Sequence, residues 1–303
     1  IALNAEVSPV PLPASAAQPA QVLRRAAPLA LGAAVYQVNV MVDGLMAEGL
    51  LSDGGPTLHY FANRVQQLPL ALVAIAATSA VFPALQELGH AGKREALRSL
   101  HDRTHLAIAA VAVPAALGMF ALARPIVEVS FERGAFGAEG VARTSRALAV
   151  LAFAILPAGA TGLIARTYYA MGDFTTPVRV SIVALLLNVG FNVWFLVGLG
   201  MDVEGLAAAT CITSVLNAVL LLPGLTRSLG LPRCREALLQ PLGAILAAGT
   251  ANAAVAYGVE RALDGPLGRT AALGLAIAAG GVTYLALAFA LRVPGLERFR
   301  RTR

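Results

Sequence analysis

The chain has 303 residues, of which 57% are hydrophobic and only 13% charged, with a formal net charge of +6. Charged residues make up about a quarter of a typical soluble protein. With a mean hydropathy of +0.71, this composition excludes an ordinary soluble domain and predicts a polytopic, all-α integral membrane protein. The basic residues form short clusters between apolar stretches. They therefore suit the orientation of a membrane protein, and no nucleic-acid partner is expected.

Apolar stretches of about 20 residues recur along the chain, and each is predicted to be a membrane-spanning helix. The eight predicted spans are residues 26–51, 58–85, 106–123, 147–169, 178–199, 206–225, 238–259 and 271–291. A basic loop separates the second span from the third, and the amphipathic residues 124–146 are predicted to lie at the membrane interface. Residues 1–23, rich in Ala, Pro, Ser and Gln, are interpreted as a linker, and residues 292–303 as a basic tail. The chain is expected to be the later part of something longer.

Lys and Arg predict the orientation of the spans. If Arg24 and Arg25 are cytoplasmic, the basic loop around Arg94 and the basic tail fall on the same side, and fewer basic residues fall on the other. The positive-inside rule then places both ends of the chain in the cytoplasm.

The sequence contains no recognisable set of catalytic residues. Cys211 and Cys234 have no metal-binding spacing and are interpreted as packing residues, and there is no nucleophile elbow, P-loop or metal-binding histidine pair. The sequence therefore predicts a protein that is not an enzyme and has no cofactor. Energy for transport would come from an ion gradient or from the membrane potential.

Arg64 and Asn63 are the first candidate substrate-binding residues, because an intramembrane charge such as that of Arg64 requires a partner or a water-filled cavity. Its guanidinium group could bind a phosphate or diphosphate through two parallel hydrogen bonds. Alternatively, it snorkels to the interface or pairs with Asp43 or Asp53.

A second candidate is Asp43 of the first span, taken with polar residues of the fifth and sixth. Asn188 and Asn192 are four residues apart and therefore share one helix face, and Thr210 or Thr213 could supply a hydroxyl group. Oxygen ligands of this kind suit a small cation such as Na⁺. Hydrogen bonding between helices is the alternative. A third polar group lies at the end of the fourth span and consists of Arg166, Tyr168, Tyr169 and Asp173. An aromatic-belt and helix-end role explains these residues, and no binding or catalytic role is assigned to them.

Several short motifs resemble, in order and spacing, the MurJ/MviN family of lipid II flippases within the multidrug/oligosaccharidyl-lipid/polysaccharide exporter superfamily. They are NVMVD at 39–43, YFANR at 60–64, QLP at 67–69, FERGAF at 131–136 and YYAMGDFTTP at 168–177. The resemblance covers about residues 24–229. It implies a multi-pass protein of the bacterial inner membrane that moves an undecaprenyl diphosphate-linked peptidoglycan precursor by alternating access.

The resemblance also implies the division of the chain. Residues 24–229 would be the second six-helix lobe (family helices 7–12), and residues 230–303 the two helices that guide the lipid tail. The first lobe would be a missing partner, besides lipid II and membrane lipids. Arg64 matches a cavity arginine, and Asp43, Asn188, Asn192 and Thr210 match positions where some members bind sodium. A flippase for another polyprenyl-linked sugar, a drug/cation antiporter and a non-transporting scaffold for wall synthesis remain alternatives.

Overall fold

The computed structural model describes residues 19–51, 54–72, 76–134, 136–230, 235–291 and 293. Within these residues every regular element is a helix, so the predicted all-α class is confirmed. The helices are α1 (Pro19–Leu50), α2 (Gly55–Leu70), α3 (Ala76–His90), α4 (Arg94–Ala121), α5 (Ala123–Phe131), α6 (Ala138–Ala152), α7 (Ile155–Ala170), α8 (Thr175–Val193), α9 (Val203–Leu229), α10 (Arg235–Leu267) and α11 (Arg269–Ala290). A π-helical segment, Trp194–Gly198, extends α8.

Among the described residues, five helices are long and apolar enough to cross a membrane: α4, extended α8, α9, α10 and α11. The pair α6 and α7 would form a sixth span, bent by 42°. Helix α1 coincides with the first predicted span, although many of its side chains lie outside the description, and it already begins at Pro19 within the predicted linker. The count of eight spans therefore stays a prediction. The rest of the linker and nearly all of the basic tail lie outside the described residues.

The second predicted span contains two described helices: α2 ends at Leu70, α3 begins at Ala76, and residues 73–75 between them lie outside the described part of the chain. Pro69 lies in the last turn of α2. A proline has no N–H group with which to bond the carbonyl one turn earlier, so it weakens the last turn of α2.

The predicted basic loop before the third span is wrong: Arg94, Arg98 and Arg103 belong to the first turns of α4. Arg, Glu, Ala and Leu are strong helix formers, so the helix continues beyond its apolar part. Residues 124–146 comprise most of α5, a turn containing Gly134 at φ 59° and much of α6, and their position at the membrane interface stays a prediction.

The main core lies where α2, α4, α6, α7 and α9 meet. Its fully buried side chains include Leu148, Leu151 and Ile155, and the small residues Ala112 and Ala207 let the helices approach closely. Helices α10 and α11, joined at Gly268, form a hairpin that packs on α4 around Ile245. The hairpin is therefore an outer layer packed mainly on α4.

Two hydrogen bonds dock this hairpin on α4. Because Pro114 has no N–H group, the helical carbonyl of Ala110 loses its usual donor. The hydroxyl of Tyr284 donates to the Ala110 carbonyl instead. Asn252 Nδ2 donates to the carbonyl of Pro114 at 2.9 Å. An unsatisfied Ala110 carbonyl would be costly in lipid, so Pro114 of α4 and Tyr284 of the hairpin form one unit.

Candidate functional site

Asp43 lies on α1 with its side chain only 6% exposed. Its carboxylate accepts two hydrogen bonds from amide groups: Asn192 Nδ2 donates to Oδ1 at 2.7 Å and Asn39 Nδ2 donates to Oδ2 at 3.1 Å. The first bond joins α1 to α8 and the second remains within α1. A buried carboxylate between two neutral donors keeps an uncompensated charge, which a cation would neutralise.

The two asparagines of α8 continue this network toward α9. Asn192 is fully buried and its Nδ2 also donates to Asn188 Oδ1, at 3.0 Å. Asn188 Nδ2 in turn donates to Thr213 Oγ1 at 3.2 Å. Among the described residues, the buried Oδ1 of Asn192 has no hydrogen-bond partner. Three helices thus bring a carboxylate, two amides and a hydroxyl group together, as the sequence predicted for Asp43, Asn188 and Asn192.

Thr210 is placed differently from the prediction that named it. Its backbone carbonyl accepts hydrogen bonds from Thr213 Oγ1 at 3.2 Å and from Ser214 Oγ at 2.7 Å. Thr213, the alternative hydroxyl, makes the side-chain contact with α8 because the register of α9 turns it inward. Asn39 was missed, although its spacing of four residues from Asp43 on a helix could have revealed it.

Arg64 lies on the exposed face of α2. Its Nε donates to the Tyr60 hydroxyl at 3.0 Å and Nη1 lies 3.4 Å from Gln67 Oε1, while the guanidinium stands 5.3 Å from the centre of the Tyr60 ring. These partners are neutral and belong to the same helix. They hold the guanidinium beside the helix without neutralising its charge, so its electrostatic capacity for an anion is kept.

The opposite face of α2 is buried. Leu58, His59 and Ala62 pack inward, and the buried Gln66 donates to the carbonyl of Leu151 at 3.2 Å. Asn63, half-buried between the two faces, lies with Nδ2 2.8 Å from His59 Nε2. The structure therefore places Asn63 toward the packed side and Arg64 toward the open side, although the two residues are adjacent in sequence.

The polar group that ends α7 has structural partners, as its helix-end interpretation predicted. Tyr168 donates to the carbonyl of Leu221 at 2.8 Å, and Arg166 donates to the hydroxyl of Thr78 on α3. Asp173 Oδ1 accepts the backbone N–H groups of Thr175 and Thr176, at 3.0 Å each, at the start of α8. Burial raises the pKa of Asp173, but the hydrogen bonds from the backbone and hydroxyl groups of Thr175 and Thr176 outweigh it and bring this pKa below its ordinary value.

At the opposite ends of the helices, ion pairs join α6 to the start of α9. Arg143 donates to Asp202 through two nitrogens, at 2.5 and 2.7 Å, and Arg146 lies 3.5 Å from Glu204. The hydrogen bonds from Arg143 lower the pKa of the Asp202 carboxyl. Within the described residues no group of three or more His, Cys, Asp or Glu side chains could hold a metal ion. Cys211 is half-buried, and Cys234 lies outside the description.

Comparison with known proteins relates these features to one family. Residues 7–271 match the family model described as "Lipid II flippase MurJ". The "Probable lipid II flippase MurJ" of Bdellovibrio bacteriovorus is 29% identical over 283 residues, covering 93% of this chain and 53% of the relative. That of Haemophilus influenzae is 32% identical over 209 residues, covering 66% of this chain and 40% of the relative. The chain thus spans about half the length of the curated relatives it matches.

Solved structures show a similar fold. The inward closed conformation of "Lipid II flippase MurJ" aligns with a TM-score of 0.71 and 21% identity, covering 90% of this chain and 55% of that one. An outward-facing transporter of the multidrug resistance MATE family, of the MOP superfamily, aligns with a TM-score of 0.59 and 16% identity, covering 89% of this chain and 65% of that one. The predicted exporter-type architecture is therefore confirmed.

Proposed function

Since the chain belongs to the lipid II flippase MurJ family, we propose that it forms the C-terminal half of a flippase for the undecaprenyl diphosphate-linked peptidoglycan precursor, lipid II. The precursor would move from the cytoplasmic to the outer leaflet by alternating access. The chain is a multi-pass protein of the bacterial membrane. We further propose that both ends are cytoplasmic, because the outer arginines Arg143, Arg146 and Arg269 face carboxylates whereas the basic start of α4 carries surplus charge.

The observation that carries this proposal is the position of Arg64. Tyr60 and Gln67 hold its guanidinium on the open face of a helix whose other face is buried in the lobe. In the proposed mechanism that open face lines a cavity shared with a first lobe, and the guanidinium binds the diphosphate of lipid II by two parallel hydrogen bonds. Asn63 supports the site through His59 rather than by touching the substrate. No covalent bond changes, so the protein acts as a transporter and not as an enzyme.

A cation would act through the Asp43 network. A half-turn of the Asn192 amide would direct its Oδ1 toward Asp43 Oδ1 and Asn188 Oδ1, which its Nδ2 now contacts. Three oxygens from α1 and α8, with the hydroxyl of Thr213, would then surround one point, as Na⁺ prefers. Binding there would tie α1 to α8 and α9 and so bias the equilibrium between the two access states.

The hairpin of α10 and α11 has an exposed apolar surface that could contact the undecaprenyl tail of lipid II. Large apolar side chains of α10 and α11, including Leu246, Ile277 and Val282, are exposed. We propose that membrane lipids and the undecaprenyl tail contact this surface while the diphosphate group is bound at Arg64.

Complementation tests the proposal. The chain is joined to the first lobe of a relative in cells depleted of their own flippase, and transport is followed by the accessibility of lipid II in the outer leaflet. Wild type is expected to restore transport and Arg64→Ala to abolish it, while Arg103→Ala, an exposed arginine on α4, leaves transport intact. Arg64→Lys measures whether charge alone suffices.

The alternatives predict other outcomes. Rescue by Arg64→Ala at equal expression would refute the diphosphate site and leave Arg64 as a residue that snorkels to the interface. Failure of wild type with lipid II, together with transport of another polyprenyl-linked sugar or of a cationic drug, would assign the chain to another exporter of the superfamily.

A further inference from the structure

A cavity of about 500 Å³ opens at the end of the bundle opposite the Arg143–Asp202 pair. It lies where α3 turns into α4, where α7 turns into α8 and where α9 ends. The volume is in the range of small-molecule sites. Its walls include Arg94, Asp173, Arg227 and Ser228.

The walls carry more positive than negative charge. Arg94 and Arg227 are both exposed, and within the described part of the chain neither guanidinium has an ion-pair or hydrogen-bond partner. Asp173 is the acidic wall residue, but both of its oxygens already accept hydrogen bonds from Thr175 and Thr176 at the start of α8. Two guanidinium groups therefore face one carboxylate in the described wall, and the excess of positive charge favours an anion.

A third arginine lies beside the cavity. Arg98 follows Arg94 by one turn of α4, and its side chain is only 15% exposed. Its Nη1 lies 3.4 Å from the position that a Cβ on Gly230 would take, so it reaches the end of α9. Its Nη2 is buried and has no hydrogen-bond partner among the described residues, while its Nε is 3.6 Å from Asp102. A buried donor without a partner adds to the local demand for an acceptor.

We propose that this cavity binds a phosphate-bearing anion. Arg94 from α4 and Arg227 from α9 would hold the phosphate from two sides, since the planar guanidinium group matches a phosphate with two parallel hydrogen bonds. The hydroxyl of Ser228 would donate a further bond. The site is separate from Arg64 and does not depend on transport of lipid II. The phosphate could belong to the headgroup of an anionic phospholipid or to a phosphorylated solute, because both present the same group at the membrane edge.

Binding is measured on the complete protein expressed from its own gene and placed in phosphatidylcholine nanodiscs. In one arm, native mass spectrometry counts phosphatidylglycerol retained when that lipid is added. In the other arm, calorimetry follows titration with glycerol 1-phosphate. The variants are the single substitutions Arg94→Gln and Arg227→Gln. A third variant, Ser228→Phe, fills the cavity without changing its charge. Arg103→Gln removes an exposed arginine of α4 that is not part of the cavity wall.

We expect each arginine substitution to weaken binding about tenfold, the loss typical of one charge-assisted hydrogen bond. Ser228→Phe should also reduce binding, whereas Arg103→Gln should not, and the melting temperature in phosphatidylcholine should be the same for all variants. Retention of phosphatidylglycerol alone identifies a lipid headgroup, and binding of glycerol 1-phosphate identifies a solute. If neither probe binds, or if Arg103→Gln weakens binding as much as the wall variants, the proposal is overturned and the arginines serve only membrane orientation.

Discussion

Asp43→Asn separates a cation site from simple hydrogen bonding between helices. The substitution keeps the size of a side chain that is 6% exposed and removes its charge. Its partners Asn192 and Asn39 both present Nδ2 to the present carboxylate. An asparagine would therefore face one of them with its own NH₂ group and lose one hydrogen bond. Such bonds are worth about 0.6 kcal/mol on average in membrane bundles, and removal of a buried charge offsets that loss.

In potassium alone, the stability of Asp43→Asn should therefore stay within about 1 kcal/mol of wild type. In sodium the two should diverge. A ligand at a hundredfold excess over its Kd stabilises the folded state by about 2.7 kcal/mol. Wild type should gain stability on this scale as NaCl replaces KCl at constant ionic strength, and Asp43→Asn should gain none. The assay is thermal unfolding of the full-length protein in nanodiscs, read by tryptophan fluorescence.

Glu48→Gln is the matched control, since it removes an exposed carboxylate from the same helix and should keep the full sodium response. Thr213→Ala and Thr210→Ala test the hydroxyl ligand. Thr213→Ala should reduce the sodium response and Thr210→Ala should not, because the network contacts Thr213 Oγ1. A wild type that responds equally to sodium and potassium, or an Asp43→Asn variant that keeps the response, would refute the cation site and leave only hydrogen bonding.

Three further results are expected. Tyr284→Phe should lower the free energy of unfolding by about 1 kcal/mol, measured by steric trapping. Adding Pro114→Ala to that variant should restore the lost stability, because it gives α4 back its missing N–H donor. If the stability does not recover, the hydrogen bond from Tyr284 does not replace that donor. Gly280→Ala should destabilise by about 1–3 kcal/mol, because its Cβ would lie 2.5 Å from a side-chain oxygen on α10, whereas Gly281→Ala, with open space around it, should be neutral or stabilising; equal effects would refute this packing. The pKa of Asp202 is lowered in the folded protein, so its ion pair stabilises the fold above the pKa of the unfolded carboxyl, and this stability is lost as pH falls through the folded pKa. Asp202→Asn should therefore flatten the acid side of a curve of stability against pH. An unchanged curve would exclude this role.

The sequence could predict those features of the site that depend on helical spacing. Asn188 and Asn192 had to share a face because they are four residues apart. That this face meets Asp43 was decided by the packing of α1 against α8. The sequence could not choose between Thr210 and Thr213. That choice depends on the rotation of α9 about its own axis, which is set by packing against α6, α7 and α8.

The same limit applies to Arg64. Hydropathy identifies the helix, but whether a charged side chain points at the lobe or away from it depends on which face the other helices cover. Burial of Leu58, Ala62 and Gln66 decided that Arg64 lies on the open side. The cavity beside Arg94 was also beyond the sequence, because it is formed by the ends of helices that lie far apart in the chain.

By itself, the sequence determined the membrane environment, the helical class and the family. These follow from composition, apolar length and local motifs, which are properties of single segments and need no knowledge of their neighbours. Only the tertiary structure decided where helices break and which polar groups meet. Pro114 illustrates the reason: the local rule says that it frees a carbonyl in α4, but only packing brings Tyr284, from the far end of the chain, to satisfy it.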